Sequence, residues 1–218
     1  MSARSYTRRK LMMDTAIIKP PRGYEWVEYI ENTSTAYIDT NFVFRSASMT
    51  LNAMEIDMEI MELPSSSAVG IFGSRHRATD VDATFIEILT DGRYHTTIRS
   101  TNYYTQASTG KHIYSIVSDK LYIDGVRFGD RDYPRHSIGT VGIFAIREAA
   151  LGNFSTFGLK ARLYRASFEA YDQKKIFLPI LRLRDNKYGL WDAVSNSFYV
   201  SPNNINFTGG NIINRYTI

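Results

Sequence analysis

The sequence predicts an all-β chain, folded as a two-sheet antiparallel sandwich behind an extended N-terminal arm. Three observations predict it. Runs such as Arg162–Phe168 (RLYRASF) and Met49–Leu63 alternate apolar with polar residues, the period-two pattern of strands with one wet and one dry face. Turn dipeptides, Asp91-Gly92 and Asp124-Gly125 among them, punctuate the runs. No helical period of useful length and no internal repeat interrupts this pattern.

Taken in order, residues 1–22 read as the arm and residues 23–218 as the sandwich domain. Arg4, Arg8, Arg9, Lys10, Lys19 and Arg22 face only Asp14, a net of +5 in a chain of +4, so the remainder carries −1. Pro20-Pro21 stiffens the exit. Strands are expected at Trp26–Ile30, Tyr37–Phe44, Met49–Leu63, Val69–Ser74, Thr84–Thr90 and Tyr94–Ser100. Asn102–Lys111 reads as a polar loop. A meander follows over Ile113–Val117, Leu121–Ile123 and Val126–Phe128, with Asp124-Gly125 as a type I′ turn. Val141–Ile146 is a hydrophobic strand, and Arg147–Phe157 is the best place for a helical turn or long loop. Ile176–Leu183 is continuously apolar, as a strand buried on both faces would be, with Pro179 marking an edge or bulge. Tyr188–Trp191 and Phe198–Val200 close the domain. Trp26, Tyr37, Phe72, Phe144, Leu163, Phe177 and Trp191 are the expected core.

Composition sets bounds. A chain of 218 residues with 44% apolar content fits one sandwich. It has no cysteine, so neither a disulfide nor a thiolate metal site contributes. The four histidines show no metal-ligand spacing. No apolar run is long enough to span a membrane. Leu11–Met13 and Ala16–Ile18 are too short for a signal-peptide core. No metal and no cofactor is expected.

Three constellations bear on function. Glu55-Ile56-Asp57-Met58-Glu59 resembles the E-[IL]-D-x-E signature of laminarinase- and lichenase-type glycoside hydrolases. That resemblance would make Glu55 the nucleophile, Asp57 its assistant and Glu59 the acid/base. The same residues are also what the solvent face of an alternating strand looks like, with Met54, Ile56, Met58 and Ile60 opposite. A retaining pair needs carboxyls about 5–5.5 Å apart, whereas four strand residues separate their α-carbons by about 13 Å. The expectation is a non-catalytic face. The second constellation is glycan-binding in composition: Tyr103, Tyr104 and Gln106, with Arg75 and His76 after a strand. The third is the arm, where Arg4, Arg8, Arg9 and Lys10 supply charge and Leu11, Ile17 and Ile18 supply apolar anchors for docking to a partner protein. Nucleic acid is the less expected partner, since the folded remainder is slightly acidic.

Four phrases, in order, carry a family resemblance. Tyr29–Phe42 (YIENTSTAYIDTNF) is similar to an opening "YI-S-G-QYIDTG-". Ile71–Arg75 (IFGSR) resembles a second core strand. Leu121–Val126 (LYIDGV) looks like the hairpin of laminin-G and pentraxin relatives. Finally "GLWDAVSNSFY" (Gly189–Tyr199), before Gly209-Gly210, resembles a "-LYD-V-G-FY-N-" phrase that follows an "F-P-" strand. Together they resemble the concanavalin A-like (laminin-G-like) jelly-roll domains of bacteriophage and prophage structural proteins. The resemblance implies a jelly roll and a non-enzymatic virion component: a capsid decoration, head fibre or tail-associated protein. Such a protein would be assembled in the host cytoplasm, oligomeric, held to other virion proteins by the arm, with host glycans as a further partner. The alternatives are a carbohydrate-binding module of a bacterial or prophage surface system, and a glycoside hydrolase. A scaffold alone does not choose among them.

Overall fold

A computed structural model describes residues 17–43, 53–75, 84–98, 101–117, 120–130, 139–148, 151–155, 157–170 and 173–217. Arg4, Arg8, Arg9, Lys10, Leu11 and His76 lie outside the described residues, as does the start of the expected strand at Met49.

Two sheets face each other, and no α-helix occurs among the described residues. The larger runs β12 (Val126–Asp130), β11 (Lys120–Ile123), β10 (Gly110–Val117), β5 (Ala53–Ile60), β16 (Ala161–Ala170), β17 (Gln173–Arg182), β18 (Lys187–Asp192) and β19 (Ser197–Tyr199). Attached to it are β2 (Tyr24–Val27), β3 (Ile30–Asn32), β20 (Thr208–Gly209) and β21 (Ile212–Ile213). The smaller runs β15 (Asn153–Ser155), β14 (Ile146–Glu148), β6 (Val69–Arg75), β7 (Thr84–Ile88), β8 (Arg93–Ile98) and β9 (Thr101–Gln106), with β13 (Gly142–Ile143) and β4 (Ile38–Asp39) beside it. Pairing is antiparallel throughout except between β14 and β6. This is the all-β, two-sheet sandwich that the alternation predicts.

The alternation fixes the register. In β5, Met54, Ile56, Met58 and Ile60 are 0–1% exposed and lie in the main core, while the residues between them face outward. A slip of one residue would turn all four outward. Each buried side chain is worth about 1.5–3 kcal/mol, so the register is strongly held.

Strand β17 is buried on both faces, as its apolar run predicts. Phe177 points into the main core, while Ile176, Leu178 and Ile180 form a second cluster with Trp26 on the outer side of the large sheet. Pro179 sits where β17 changes partners. Up to Phe177 its inner edge pairs with β16, and from Ile180 it pairs with β2. Leu183 N–H donates to Gly23 along that same edge, so by alternation the missing N–H of Pro179 falls in the gap. The turn at Asp124-Gly125 has φ of 52° and 77°, the type I′ geometry.

Several expectations are corrected. The expected loop Asn102–Lys111 begins as β9, paired with β8 from Arg93↔Gln106 to Ile98↔Thr101. Its polar composition belongs to a sheet edge, and its Thr and Tyr residues are good strand formers. Arg147–Phe157, expected as a helical turn or long loop, holds the hairpin β14–β15, and Leu151 between the strands is in 3₁₀ conformation. Trp26–Ile30 is broken at Glu28–Tyr29 into β2 and β3. Tyr37 and Trp191 are only partly buried, packing on the rims of the main and second clusters respectively. Ile17 and Ile18 form β1 (Ile17–Ile18), which pairs with β22 (Tyr216–Thr217). Ile18 packs on the second cluster and accepts a hydrogen bond from Trp26 Nε1 at 3.0 Å. These two residues are therefore tied to the domain.

Candidate functional site

The outer face of the large sheet is covered over β17 and β18 by the second cluster. Over β5, β10 and β16 it is polar. Between the two halves, β16 and β17 part like a fork: β3 takes the edge of β16 over Ala161–Leu163, and β2 takes that of β17. Glu28 and Tyr29, between β2 and β3, stand at its apex. There β16 bulges, since Leu163 pairs with Met58 and Arg165 with Asp57, leaving Tyr164 out of the ladder with β5. A bulge re-aims side chains, and here both Tyr164 and Arg165 are partly exposed. Ile213 and Tyr216 come in from the C-terminal strands. Together these residues line a wide-open cleft of about 450 Å³.

The charges around the cleft are mostly paired. Glu59 Oε2 accepts from Tyr164 Oη at 2.7 Å and from Arg162 at 3.4 Å. Arg162 Nε also donates to Glu31 at 2.7 Å and its guanidinium lies 4.7 Å from the Tyr29 ring centre. Lys111 Nζ is 3.2 Å from Asp57 Oδ2 and 4.1 Å from the Tyr164 ring centre. Tyr216 Oη donates to Val27 O at 2.6 Å, which fixes the C-terminal strand at the cleft wall. Two polar atoms are left over: Asp57 Oδ1 and Arg165 Nε are shut off from solvent and make no hydrogen bond. Such groups cost about 1–3 kcal/mol each, and others lie outside the cleft, at Asn32, Ser74, Thr84, Arg147 and Glu148.

The electrostatics follow. Burial pushes the Asp57 carboxyl above its ordinary value, against the pull of Lys111. Burial, then the bond to Glu59, push the Tyr164 phenol up to about 12, so it stays a donor at neutral pH.

Glu55, Asp57 and Glu59 thus share one outward face at the centre of the sheet. The pairing of β5 with β10 runs unbroken from Ala53 to Ile60, so no bulge draws Glu55 toward Glu59. Glu59 Oε2 already receives two donors, from Arg162 and Tyr164.

The residues singled out for glycan contact are distributed differently. Tyr103 packs against the main core, with its ring over Gly129 of β12. Tyr104 is 44% exposed but stacked on His95, with centroids 4.9 Å apart, and Arg93 lies 4.5 Å from its ring centre. Gln106 donates to Gly92 O at 2.8 Å. Arg75, expected on a loop, ends β6 and is held by Glu148 at 2.8 Å and Glu87 at 3.4 Å. Glu87 in turn binds His95 at 2.8 Å, so among the described residues Arg75 and Tyr104 are linked through a network spanning the small sheet.

Sequence reasoning missed the Tyr164–Arg165 bulge and the part played by Ile213 and Tyr216. It also missed a Ser108–His112–Asp124 chain: His112 Nε2 lies 3.2 Å from Ser108 Oγ, and Nδ1 lies 2.7 Å from Asp124 Oδ2. The spacing resembles a hydrolytic triad, but Nε2 is also 3.1 Å from the Ser108 carbonyl, which can only accept, and Asp124 Oδ1 caps the Ile113 amide at 2.8 Å. Both contacts make it a clamp on the hairpin.

Neither known protein-family models nor curated protein sequences give a match to this chain.

Proposed function

We propose that this chain is a non-enzymatic structural protein of a bacteriophage virion, a jelly roll displayed as a capsid decoration, head fibre or tail-associated component and oligomeric in place. The four sequence phrases support the virion reading, and their residues fall on core-building elements: β4, β6, the β11–β12 hairpin and the β18–β19 hairpin. The observation that carries the non-enzymatic part is the Glu55–Asp57–Glu59 face, a regular strand whose Asp57 and Glu59 carboxylates are held by Lys111, Arg162 and Tyr164. A retaining pair needs its two carboxyls about 5–5.5 Å apart, one of them protonated, and an unbulged β5–β10 ladder spaces Glu55 and Glu59 wider than that at the backbone. The test is a mass-spectrometric inventory of purified virions together with hydrolysis assays on laminarin, mixed-linkage glucan and agarose. The chain is expected as a stoichiometric virion component that releases no reducing ends. Hydrolysis lost in Glu55→Gln would promote the glycosidase reading, and absence from virions would remove the structural one. A second reading, a carbohydrate-binding module, is favoured by the aromatic cleft.

A further inference from the structure

The large sheet ends differently on its two flanks. At the β12 end, Arg127 puts a charge on the last strand, and Tyr103 of β9 packs over Gly129 to close the flank. At the other end stands β19, joined to β18 by Leu190↔Tyr199, Trp191↔Phe198 and Asp192↔Ser197. Among the described residues nothing else hydrogen-bonds to the backbone of residues 197–200. Edge strands are commonly blunted by charged side chains, a proline, a bulge or shortness. Of these, only shortness is present in β19. No charged residue occurs between Asp192 and Arg215, and Pro202 lies beyond the strand.

The edge is also held in shape. On the outer side the Phe198 ring centre lies 5.4 Å from that of Tyr24 and 4.6 Å from the Arg182 guanidinium, and Trp191 completes the patch 5.3 Å from Tyr24. On the inner side Tyr199 meets Phe177 edge to face at 5.2 Å, and its Oη accepts from Lys175 Nζ at 2.8 Å. Asp192 fixes the turn through Ser195 and the Val194 amide. A strand anchored on both faces avoids most of the ordering cost of association. Its lack of charge selects the occupant. A neutral antiparallel strand is complementary to a copy of itself, because no like charges meet across the pair, and a two-fold axis requires that self-complementarity. We propose that a second copy of this chain occupies the edge, β19 pairing antiparallel with its counterpart about a two-fold axis at Phe198 and joining two large sheets into one. Phe198 then faces the partner subunit's Phe198, an aromatic cross-strand pair. The proposal gives a surface to the oligomeric part of the virion reading, and rests on that reading only for the expectation that copies associate.

The test is sedimentation of the full chain over a concentration series, joined to crosslinking. A monomer–dimer equilibrium is expected. Phe198→Lys should weaken it at least about tenfold, since it sets two lysines opposite each other at the axis. The chain has no cysteine, so a single introduced thiol reports cleanly. Phe198→Cys should form an interchain disulfide on mild oxidation, because residues directly opposite hold their Cβ atoms about 4.5–5.5 Å apart. Val126→Cys, highly exposed at the other end of the sheet, should not. If the Phe198 variants melt early, the wild type decides: amide hydrogen exchange of residues 197–200 should slow as the dimer forms. A monomer at every concentration, association untouched by Phe198→Lys, equal crosslinking at the two cysteines, or protection confined to other strands would each overturn the proposal. So would an edge protected in assembled virions by a different protein. A monomer in solution leaves the virion inventory unaffected, and absence from virions leaves the sedimentation result standing.

Discussion

Asp192 is fully buried, yet its carboxyl is held below the ordinary range. Burial alone would raise it; the Ser195 hydroxyl, the Val194 and Ile176 amides and Lys175 outweigh that cost. Its oxygens close the β18–β19 turn, which explains in physical terms why an Asp stands in the "LWDAVSNSFY" phrase. A lowered folded value means stability that is complete above about pH 4, the ordinary Asp range, and lost as pH falls through the folded value. Asp192→Ala should cost about 3 kcal/mol in denaturant unfolding at pH 7, because it strands Lys175 and two amides, and the variant should show a shallower acid limb. His95 runs the other way. Burial lowers it, but Glu87 and Asn102 together bring it above its ordinary value. Its contribution is complete below about pH 6.5 and fades as pH rises through the folded value. Melting temperature should therefore decline from pH 6 to 8, and His95→Gln should flatten that decline. Asp57 supplies a third case: its raised value means the ionised form is disfavoured by folding. Asp57→Asn should raise the melting temperature at pH 7, with the gain vanishing near pH 4, as expected of a residue kept at some expense in stability.

At the scale of elements, the fork is built from local departures rather than from regular strands. Pro179 spares a hydrogen bond where no partner is present, the Tyr164 bulge turns two successive side chains outward, and β20–β21 lie close over the apex because Gly209 and Gly210 carry no side chain. A Cβ on Gly209 would stand 2.3 Å from the Tyr188 ring, and one on Gly210 2.7 Å from that of Tyr29. Gly209→Ala should therefore destabilise by about 1–3 kcal/mol, the usual cost of overpacking, measured by chemical denaturation. A neutral result would show that the Tyr188 ring moves aside freely.

For the whole molecule, the first and last described strands meet: β1 and β22 form a ribbon over the second cluster, which shields the outer side of β17. A chain lacking residues 1–18 should be less stable than one lacking only 1–16, by about 1–2 kcal/mol for the lost cover of Trp26 and its hydrogen bond. Equal stability of the two truncations would show that the ribbon adds nothing. The sheet edges also differ in their cover. Tyr103 of β9 packs on Gly129 of β12, closing one flank of the sandwich. β19 ends the order of the large sheet, paired on one side with β18 and with no strand on its other side among the described residues, the kind of edge that can take up a further strand.

Period-two alternation, turn dipeptides and the apolar run at Ile176–Leu183 determine, by sequence alone, the all-β class, the inward faces of β5 and β16 and the two-sided burial of β17, because each depends only on neighbours along the chain. They also determine that Glu55, Asp57 and Glu59 share a face. The rest depends on which strands come together. Nothing in YRASF marks Tyr164 as the bulged residue, since the skip exists only against the register of β5. Nothing near Ile213 and Tyr216 announces that they meet Glu28 and Asp57, more than 150 residues away in the chain. Polar residues at an edge read as loop until a partner such as β8 is present, and Arg75 reads as a free cation until Glu87 and Glu148 are brought beside it. Local pattern is set by backbone geometry and is legible in sequence. A cleft made where two strands part, with its unpaired donor and acceptor, is a product of long-range pairing, and only the tertiary structure decides it.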